Sequence, residues 1–297
     1  MIWLGERRGY LTDWVTQRWV RATGRRVARV EAPWLDGPVG EPRGIGPQFF
    51  ADLAARDGLT ISRPRPAGLL ADFDRLTAPD FEPSAVHPHV IDFYTRTSEY
   101  DLDSWAEWSG VFRPFGALLA TLFSRRLQQL NVPLSGLDTS RGVTSEVLQL
   151  VDPQSGTIRH TAWIRLLVGS GDVLYAGSYS LATVPNRGGA CVKVVFPLPN
   201  GNGVVIMRPV VHADGSLSVI SAGERFGDPG FYFTVRDGDA LWARYVKSLK
   251  ESIRVYAGAD GGVRADHVLT LWGFTFLRLH YRLQPRAAQG NVKLAAT

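Results

Sequence analysis

The segment 191–235 constrains the fold of this chain most, because four short apolar runs alternate there with turn residues. The runs predict β-strands at 192–196, 204–207, 216–220 and 231–235. The turns are Asn200-Gly201, Asp214-Gly215 and the tetrapeptide 227–230. Glycine beside Asn or Asp supplies the positive φ that tight hairpin turns require. The segment is therefore predicted to be an antiparallel meander.

Further strands and helices are predicted on both sides of the meander. The predicted strands are 27–30, 146–151, 159–168, 173–181, 263–271 and 275–283, and the predicted helices are 12–23, 48–56, 88–96, 114–130 and 239–256. The segment 97–110 is interpreted as a loop or short helix. The predicted fold class is α+β and β-rich. It is a large curved antiparallel sheet, calyx-like or helix-grip-like, packed on the long C-terminal helix and covered by N-terminal helices and Pro/Gly-rich loops.

The layout of residues 144–283 resembles the calyx and helix-grip folds of lipocalin-like and START-related proteins. That resemblance implies a container for apolar small molecules. The chain departs from the helix-grip order, because two strands follow the helix that normally ends such a chain. It also carries no diagnostic motif of either group, so the sequence assigns no family.

Residues 32–83 are rich in Pro and Gly, and a boundary is predicted near residue 80. Residues 1–80 are predicted to form a basic helix, a strand and a covering segment, residues 81–285 the main β-rich domain, and residues 286–297 a flexible tail. Trp34, Leu35, Phe49 and Phe50 are too apolar for a solvated linker, so we expect this segment to lie across the main domain.

The chain of 297 residues has one cysteine, Cys191, and neither a secretory signal nor an apolar run of membrane-spanning length. We expect a cytoplasmic protein on these grounds. The net charge of +5 is concentrated in residues 1–30, where seven arginines face two acidic residues. Since the rest of the chain is balanced, no nucleic-acid partner is expected.

The basic helix at 12–23 has three interpretations. Docking on the body through Trp14 and Trp19 is favoured, because two indole rings bury a large area. Contact of residues 11–26 with a membrane surface or an acidic partner is the second, and nucleic-acid binding is the third. The sequence indicates no oligomeric state.

Motifs for nucleotide binding and for nucleophilic catalysis are absent from the sequence. Cys191 begins an apolar strand and is interpreted as a buried core residue. His87, His89 and Asp92 have a spacing that could bind a metal ion, but residues that initiate a helix around Pro88 are the favoured interpretation. We therefore expect no metal and no cofactor.

Polar side chains on apolar strands, and those beside the aromatic run 231–233, are the remaining site candidates. The candidate acid or base residues are Glu146, Glu224, Asp228, Tyr232, His267 and His280. The candidate ligand-binding residues are Trp163, Arg165, Arg208, Phe231 and Tyr281. Glu224 and Asp228 are the most suggestive, because desolvation near aromatic rings would raise a carboxyl pKa. For Glu224 and Arg225 a local ion pair or a solvated turn is nevertheless the favoured interpretation. For His267 the favoured interpretation is a rim or surface histidine, and a polar group in an apolar pocket is the alternative.

Three functions follow from this container of 32 aromatic residues. The first is binding of a bulky apolar small molecule, with cofactor-independent cyclase, hydratase or isomerase chemistry on a polyketide-like or terpenoid-like metabolite. That chemistry requires an apolar cavity with at least two of the acid or base candidates near one ligand atom. The second is a non-catalytic carrier of a lipid or similar ligand, and the third is an interaction module that uses the N-terminal helix.

Overall fold

The computed structural model describes residues 2–42, 45–110, 112, 114, 142–169 and 171–286. Its α-helices are α1 (Leu11–Thr23), α2 (Phe49–Arg56) and α3 (Pro88–Thr95). Its strands are β1 (Arg25–Ala28), β2 (Thr60–Ser62), β3 (Tyr100–Trp108), β4 (Val143–Val151), β5 (Ile158–Leu167), β6 (Val173–Ala182), β7 (Cys191–Leu198), β8 (Gly201–Val211), β9 (Leu217–Ser221), β10 (Gly230–Asp237), β11 (Ala240–Tyr245), β12 (Leu249–Ala257), β13 (Val263–Leu271) and β14 (Phe274–Pro285). Within the described residues, no helix is long and apolar enough to cross a membrane.

All fourteen strands belong to one antiparallel sheet that does not close. Its main path runs β2-β4-β5-β6-β7-β8-β9-β12-β13-β14-β3. The long strand β8 branches, because residues 201–206 pair with β10 while residues 208–211 pair with β9. A side arm of β10, β11 and β1 extends from that branch. The predicted large antiparallel sheet is confirmed.

The meander forms where the turn residues predict it. Asn200 adopts a φ of 60° and Gly215 a φ of 75°, so the reversals after β7 and β8 use the left-handed region that Asn and Gly tolerate. Gly201 has a different role, because a side chain there would collide with the Thr234 carbonyl of β10. The meander strands are confirmed, and most extend beyond their predicted bounds.

The predicted long helix at 239–256 is wrong. That segment forms β11 and β12, and Gly238 provides the turn before β11 with a φ of 61°. Its apolar residues fit helical spacing, but within β12 they also alternate, since Glu251, Ile253 and Val255 share the inner face. The apolar residues of two short strands can therefore have the same spacing in the sequence as those of one amphipathic helix.

The segment 97–110 was predicted as a loop or short helix, and this is also wrong. Most of it is the edge strand β3, in which buried and exposed residues alternate from Tyr100 to Glu107. Its acidic residues lie on the exposed positions, where charges protect a sheet edge from further pairing. The predicted helix 114–130 and tail 286–297 fall almost entirely outside the described residues.

The sheet is curved, because strands from both ends of its path line one interior. Leu102 of β3 and Trp163 of β5 belong to the same buried cluster, together with Val90, Phe93 and Tyr94 of α3. Helix α3, predicted at 88–96, therefore packs inside the concave face. Its side chains cover one end of the interior.

The outer face is covered by the segment between α1 and β2. Trp34 and Leu35 pack with Tyr232 and with strands β7 and β8. Phe49 and Phe50 of α2 pack against the outer side of β4, β5 and β6. Residues 32–42 and 45–56 therefore form a second apolar layer on the sheet. The boundary near residue 80 stays a prediction.

Helix α1 docks on the side arm of the sheet. Val20 is buried, and the Trp19 ring meets the Phe233 ring edge to face at 6.0 Å. The Gln17 amide donates a hydrogen bond of 3.2 Å to the Pro199 carbonyl. The helix is therefore docked on the body, as the favoured interpretation predicts. Trp19 nevertheless remains 39% exposed.

Candidate functional site

A cavity of about 220 Å³ lies within the concave face of the sheet. Its wall comes from α3 and from most strands between β3 and β14, and apolar side chains dominate it. An engineered apolar cavity of about 150 Å³ holds a benzene molecule, so this space admits a larger guest. Trp105 both lines the cavity and is 49% exposed, which places it at an opening.

One wall of the cavity carries a buried arginine surrounded by aromatic rings. Arg165 of β5 is only 6% exposed, and its guanidinium lies 4.2 Å from the ring centre of Tyr175 and 4.5 Å from that of Trp163. The Tyr281 ring centre lies 5.5 Å from the same guanidinium. These contacts are cation–π geometries that hold a desolvated guanidinium in one position.

Strand pairing brings these side chains together. Arg165 of β5 lies directly opposite Tyr175 of β6, and a β-bulge follows immediately after Arg165. Trp163, two residues before Arg165, shares its face of the strand and donates a hydrogen bond of 2.8 Å from Nε1 to Ser145 Oγ. The aromatic surroundings of Arg165 are therefore built into the sheet.

Buried tyrosine hydroxyls provide the neutral polar groups of the cavity. Tyr175 donates a hydrogen bond of 2.6 Å to the Tyr179 hydroxyl. Burial raises the pKa of Tyr175 and of Tyr179, and it raises the pKa of Tyr281 despite the nearby Arg165 charge. All three hydroxyls stay protonated at neutral pH. Since Tyr175 already donates to Tyr179, the hydroxyls of Tyr179 and Tyr281 are the ones that can donate to a bound acceptor.

A histidine–glutamate pair lies on the neighbouring wall. His267 Nε2 of β13 is 3.4 Å from Glu251 Oε2 of β12, and both side chains are largely buried. The His267 ring also stacks on Tyr281 at 6.5 Å. Tyr281 therefore contacts Arg165 on one side and His267 on the other, and the polar groups form one continuous strip.

Five of the eleven predicted site residues line this cavity, namely Trp163, Arg165, Phe231, His267 and Tyr281. Four of them come from the predicted ligand-binding set, and His267 comes from the acid or base set. His267 was expected at the rim or surface of the sheet. Its side chain instead lies in the cavity wall and is 14% exposed.

Glu224, predicted as an acid or base residue, lies outside the cavity. Its carboxylate forms ion pairs with Lys247 at 2.8 Å and Lys250 at 2.9 Å on the surface. Hydrogen bonds from Lys247 and Lys250 lower the pKa of Glu224 to about 2, whereas a general acid needs a raised pKa. The turn carries Glu224 away from the aromatic run that follows it.

Asp228 and Tyr232 hold the same turn together. Asp228 Oδ2 accepts hydrogen bonds from the backbone amides of Glu224 and Arg225. Burial raises the pKa of Asp228, but these bonds and one from Asn186 outweigh it and lower the pKa. Tyr232 is fully buried in the outer core, and its hydroxyl donates to the Asp228 carbonyl at 2.5 Å. Neither residue reaches the cavity.

The remaining three candidates lie outside the cavity as well. Glu146 pairs with Arg63 at 2.7 Å on the surface. His280 Nδ1 is 2.7 Å from Asp266 Oδ1 and its side chain is 41% exposed. Arg208 is half-buried on β8 and does not line the cavity. Its charge adds a small part to the lowered pKa of Asp80, whose main cause is the hydrogen bond from Arg187.

Sequence reasoning missed Glu251, Tyr175 and Tyr179. Glu251 was hidden because its segment was predicted to be helical. A strand interpretation of 249–257 places Glu251 between apolar inward residues, which would have marked it. Tyr175 and Tyr179 are four residues apart on β6 and therefore share one face, a pattern that is common in ordinary sheet cores.

The candidate metal ligands His87, His89 and Asp92 form hydrogen bonds within the protein around α3. His87 Nδ1 accepts a hydrogen bond of 3.2 Å from the His89 backbone amide. Asp92 instead accepts a hydrogen bond of 2.6 Å from the Tyr100 hydroxyl. In the described part of the chain, no group of three or more His, Cys, Asp or Glu side chains is arranged to hold a metal ion.

Comparison with known proteins finds one distant relationship among curated sequences. The chain is 28% identical over 242 residues to YndJ of Bacillus subtilis (strain 168), described as an uncharacterized membrane protein. The match covers 81% of this chain and 41% of YndJ, so the chain spans about two fifths of that relative. No protein family matches the sequence. No solved structure is significantly similar to it.

Proposed function

We propose that this chain binds an apolar small molecule in the cavity of its sheet. The observation that carries the proposal is a cavity of about 220 Å³ whose wall is apolar except for one strip of polar groups. Such a site gains affinity from burying the apolar body of a ligand and gains orientation from a few polar contacts. Binding without catalysis, as in a carrier of a hydrophobic ligand, is the form that we favour.

The alternative is cofactor-independent cyclase, hydratase or isomerase chemistry. It requires two of the six acid or base candidates near one ligand atom, but only His267 lines the cavity. Glu251 supplies a second ionisable group beside His267, although the two are bonded to each other. The distribution of ionisable groups therefore favours a binding role.

The proposal is tested with N-phenyl-1-naphthylamine, a neutral apolar probe that becomes fluorescent in apolar sites. We expect saturable fluorescence with the wild type and a loss of binding in Ala265→Phe, which places a phenyl ring in the cavity. Ala265 lies on β13 and is 4% exposed. Val268→Phe, on the other face of β13, is the matched control and should bind the probe like the wild type. Equal binding by wild type and Ala265→Phe would refute the proposal.

A second candidate function, contact of the N-terminus with a membrane surface, is favoured by a specific observation. Residues 2–10 fold back on the start of α1, and the Leu11 amide donates to the Ile2 carbonyl at 3.0 Å. This turn leaves a patch of exposed apolar side chains, Ile2, Trp3, Leu4, Leu11 and Val15. Arg7, Arg8 and Arg18, in the same stretch of the chain, are exposed as well. Apolar residues flanked by arginines suit a surface of anionic lipid, and YndJ is described as a membrane protein.

Flotation with vesicles tests this second function. We expect the full chain to float with vesicles that contain phosphatidylglycerol and less with pure phosphatidylcholine. The double variant Leu11→Ser, Val15→Ser should lose flotation, whereas Val30→Ser is the control, because Val30 is 86% exposed and lies outside the patch. Identical flotation of both variants would contradict the membrane assignment.

A further inference from the structure

Arg165 is a buried positive charge without an ion-pair partner in the described part of the chain. Its side chain is 6% exposed, and its Nε is buried with no hydrogen-bond partner among those residues. Burying an unpaired charge is costly, and proteins normally offset the cost with a counter-charge. Because Arg165 lines the cavity, a ligand is in position to supply that counter-charge.

Among the residues that the structure describes, Glu251 is the acidic side chain in the cavity wall, and it contacts His267 and not Arg165. Its carboxylate is 3.4 Å from His267 Nε2, and no ion pair joins it to Arg165. The cavity thus contains a carboxylate that already has a partner and a guanidinium whose Nε has none. A guanidinium with no ion-pair partner among the described residues, in an apolar space, fits one negative charge on the guest.

The donors around Arg165 suit a planar anion. A guanidinium presents its N–H groups in one plane and binds carboxylates through paired hydrogen bonds. The three rings around Arg165 hold that plane, and the bulge after Arg165 fixes the direction in which the side chain leaves β5. Burial keeps the Tyr281 hydroxyl protonated beside Arg165, so it can donate a hydrogen bond to the same anion.

We infer that the ligand is a monocarboxylic acid with an apolar body, whose carboxylate pairs with Arg165 and Tyr281. This inference rests on the proposed binding function and names the class of its ligand. A dianion such as a phosphate monoester fits less well, because a single guanidinium faces it and the Glu251 carboxylate would repel the second charge. The apolar body extends along the side chains from α3, β12 and β14.

The test compares three probes of equal chain length on the full chain by isothermal titration calorimetry at neutral pH: decanoate, decan-1-ol and decylamine. We expect decanoate to bind at least about tenfold more tightly than decan-1-ol, as a charge-assisted hydrogen bond in a buried site predicts. Arg165→Met should reduce that preference to within about threefold while the alcohol still binds, and Arg165→Lys should retain part of it. Arg254→Met is the matched control, because Arg254 lies on β12 and pairs with Asp214 on the surface.

The outcomes separate the two proposals. Equal affinity of the wild type for acid and alcohol, or tighter binding of the amine, overturns the carboxylate assignment and leaves the binding function intact. An unchanged preference in Arg165→Met overturns it in the same way. If none of the three probes binds to the wild type, the carboxylate assignment is overturned, and the titration with N-phenyl-1-naphthylamine decides the binding function separately. The comparison within the wild type decides the assignment even where Arg165→Met fails to fold.

Discussion

Single residues are assigned to the site by the direction of their side chains, and sequence alone indicates that direction only on regular strands. Arg165 was predicted as a ligand-binding residue because it is polar on an apolar strand. Trp163 and Arg165 share a face of that strand, since they are two positions apart, and both line the cavity. Glu224 and Tyr232 were predicted as site residues because they are close in sequence to Phe231, but only Phe231 lines the cavity. The turn places Glu224 in solvent, and strand alternation places Tyr232 in the outer core.

Tyr232 is predicted to stabilise the fold and not to act on a ligand. Its hydroxyl donates to the Asp228 carbonyl and accepts from the Gly227 amide at 3.1 Å. Tyr232→Phe leaves both groups without this partner, so we expect a loss of about 1–3 kcal/mol in the free energy of unfolding. Urea denaturation measures the loss. Binding of N-phenyl-1-naphthylamine should be unchanged, and lost binding with unchanged stability would restore Tyr232 as a site residue.

Glu224 is predicted to contribute stability that depends on pH. Its pKa is lowered from 4.5 to about 2 in the folded chain, so the folded state favours the ionised carboxylate. That contribution is complete above the unfolded pKa and is lost as the pH falls through the folded pKa. In urea denaturation, Glu224→Gln should therefore be less stable than the wild type at pH 7, and the difference should shrink between about pH 4.5 and pH 2.

The size of the Glu224 effect should be small, because the ion pairs with Lys247 and Lys250 are exposed to solvent and salt. Asp74→Asn is the control, since Asp74 is an exposed carboxylate and its substitution leaves the ion pairs of Glu224 with Lys247 and Lys250 in place. A Glu224→Gln difference that is constant over this pH range would show that the carboxylate charge is not its cause.

At the scale of elements, strands with clear turns were predictable and the segment 239–256 was not. The meander has an Asn or Asp beside glycine at two reversals, which specifies each turn locally. The segment 239–256 contains two short strands separated by Val246 to Ser248, and their inner and outer apolar residues together match a helical period. Tertiary pairing decides between the two periods, because β12 lies between β9 and β13 and satisfies its backbone on both sides.

Substitutions at Ser252 test the strand assignment of this segment. Ser252 is half-buried on β12, opposite Ile220 of β9 and Val268 of β13. Ser252→Val should raise the free energy of unfolding by up to about 1 kcal/mol, because a β-branched residue suits a strand and packs with both neighbours. Ser252→Ala should bring no gain. A helix would reverse this order, since alanine is the better helix former, and urea denaturation distinguishes the two.

The part of the molecule that the structure describes is one curved sheet with apolar layers on both faces and a cavity in the inner layer. The outer layer, formed by residues 32–42 and 45–56 and the strands beneath them, is filled by large side chains such as Trp34, Phe49 and Phe50. The inner layer is also apolar, but its described side chains leave the cavity open. The sequence predicted a container from its strands and aromatic content, but a space within a core depends on which side chains face one another. That information lies in the register of distant strands, such as β5 and β14.

An unfilled inner layer makes the stability of the whole chain depend on its ligand. A guest that binds only the folded state raises the free energy of unfolding by about 2.7 kcal/mol when its free concentration is 100 times its dissociation constant. We expect the tightest-binding of the ten-carbon probes to raise the thermal midpoint of the wild type by several degrees under these conditions. Ala265→Phe should show no ligand-dependent shift, and Val268→Phe should shift like the wild type. An equal shift in all three proteins would place the probe on the surface, because only the cavity distinguishes Ala265→Phe from its control.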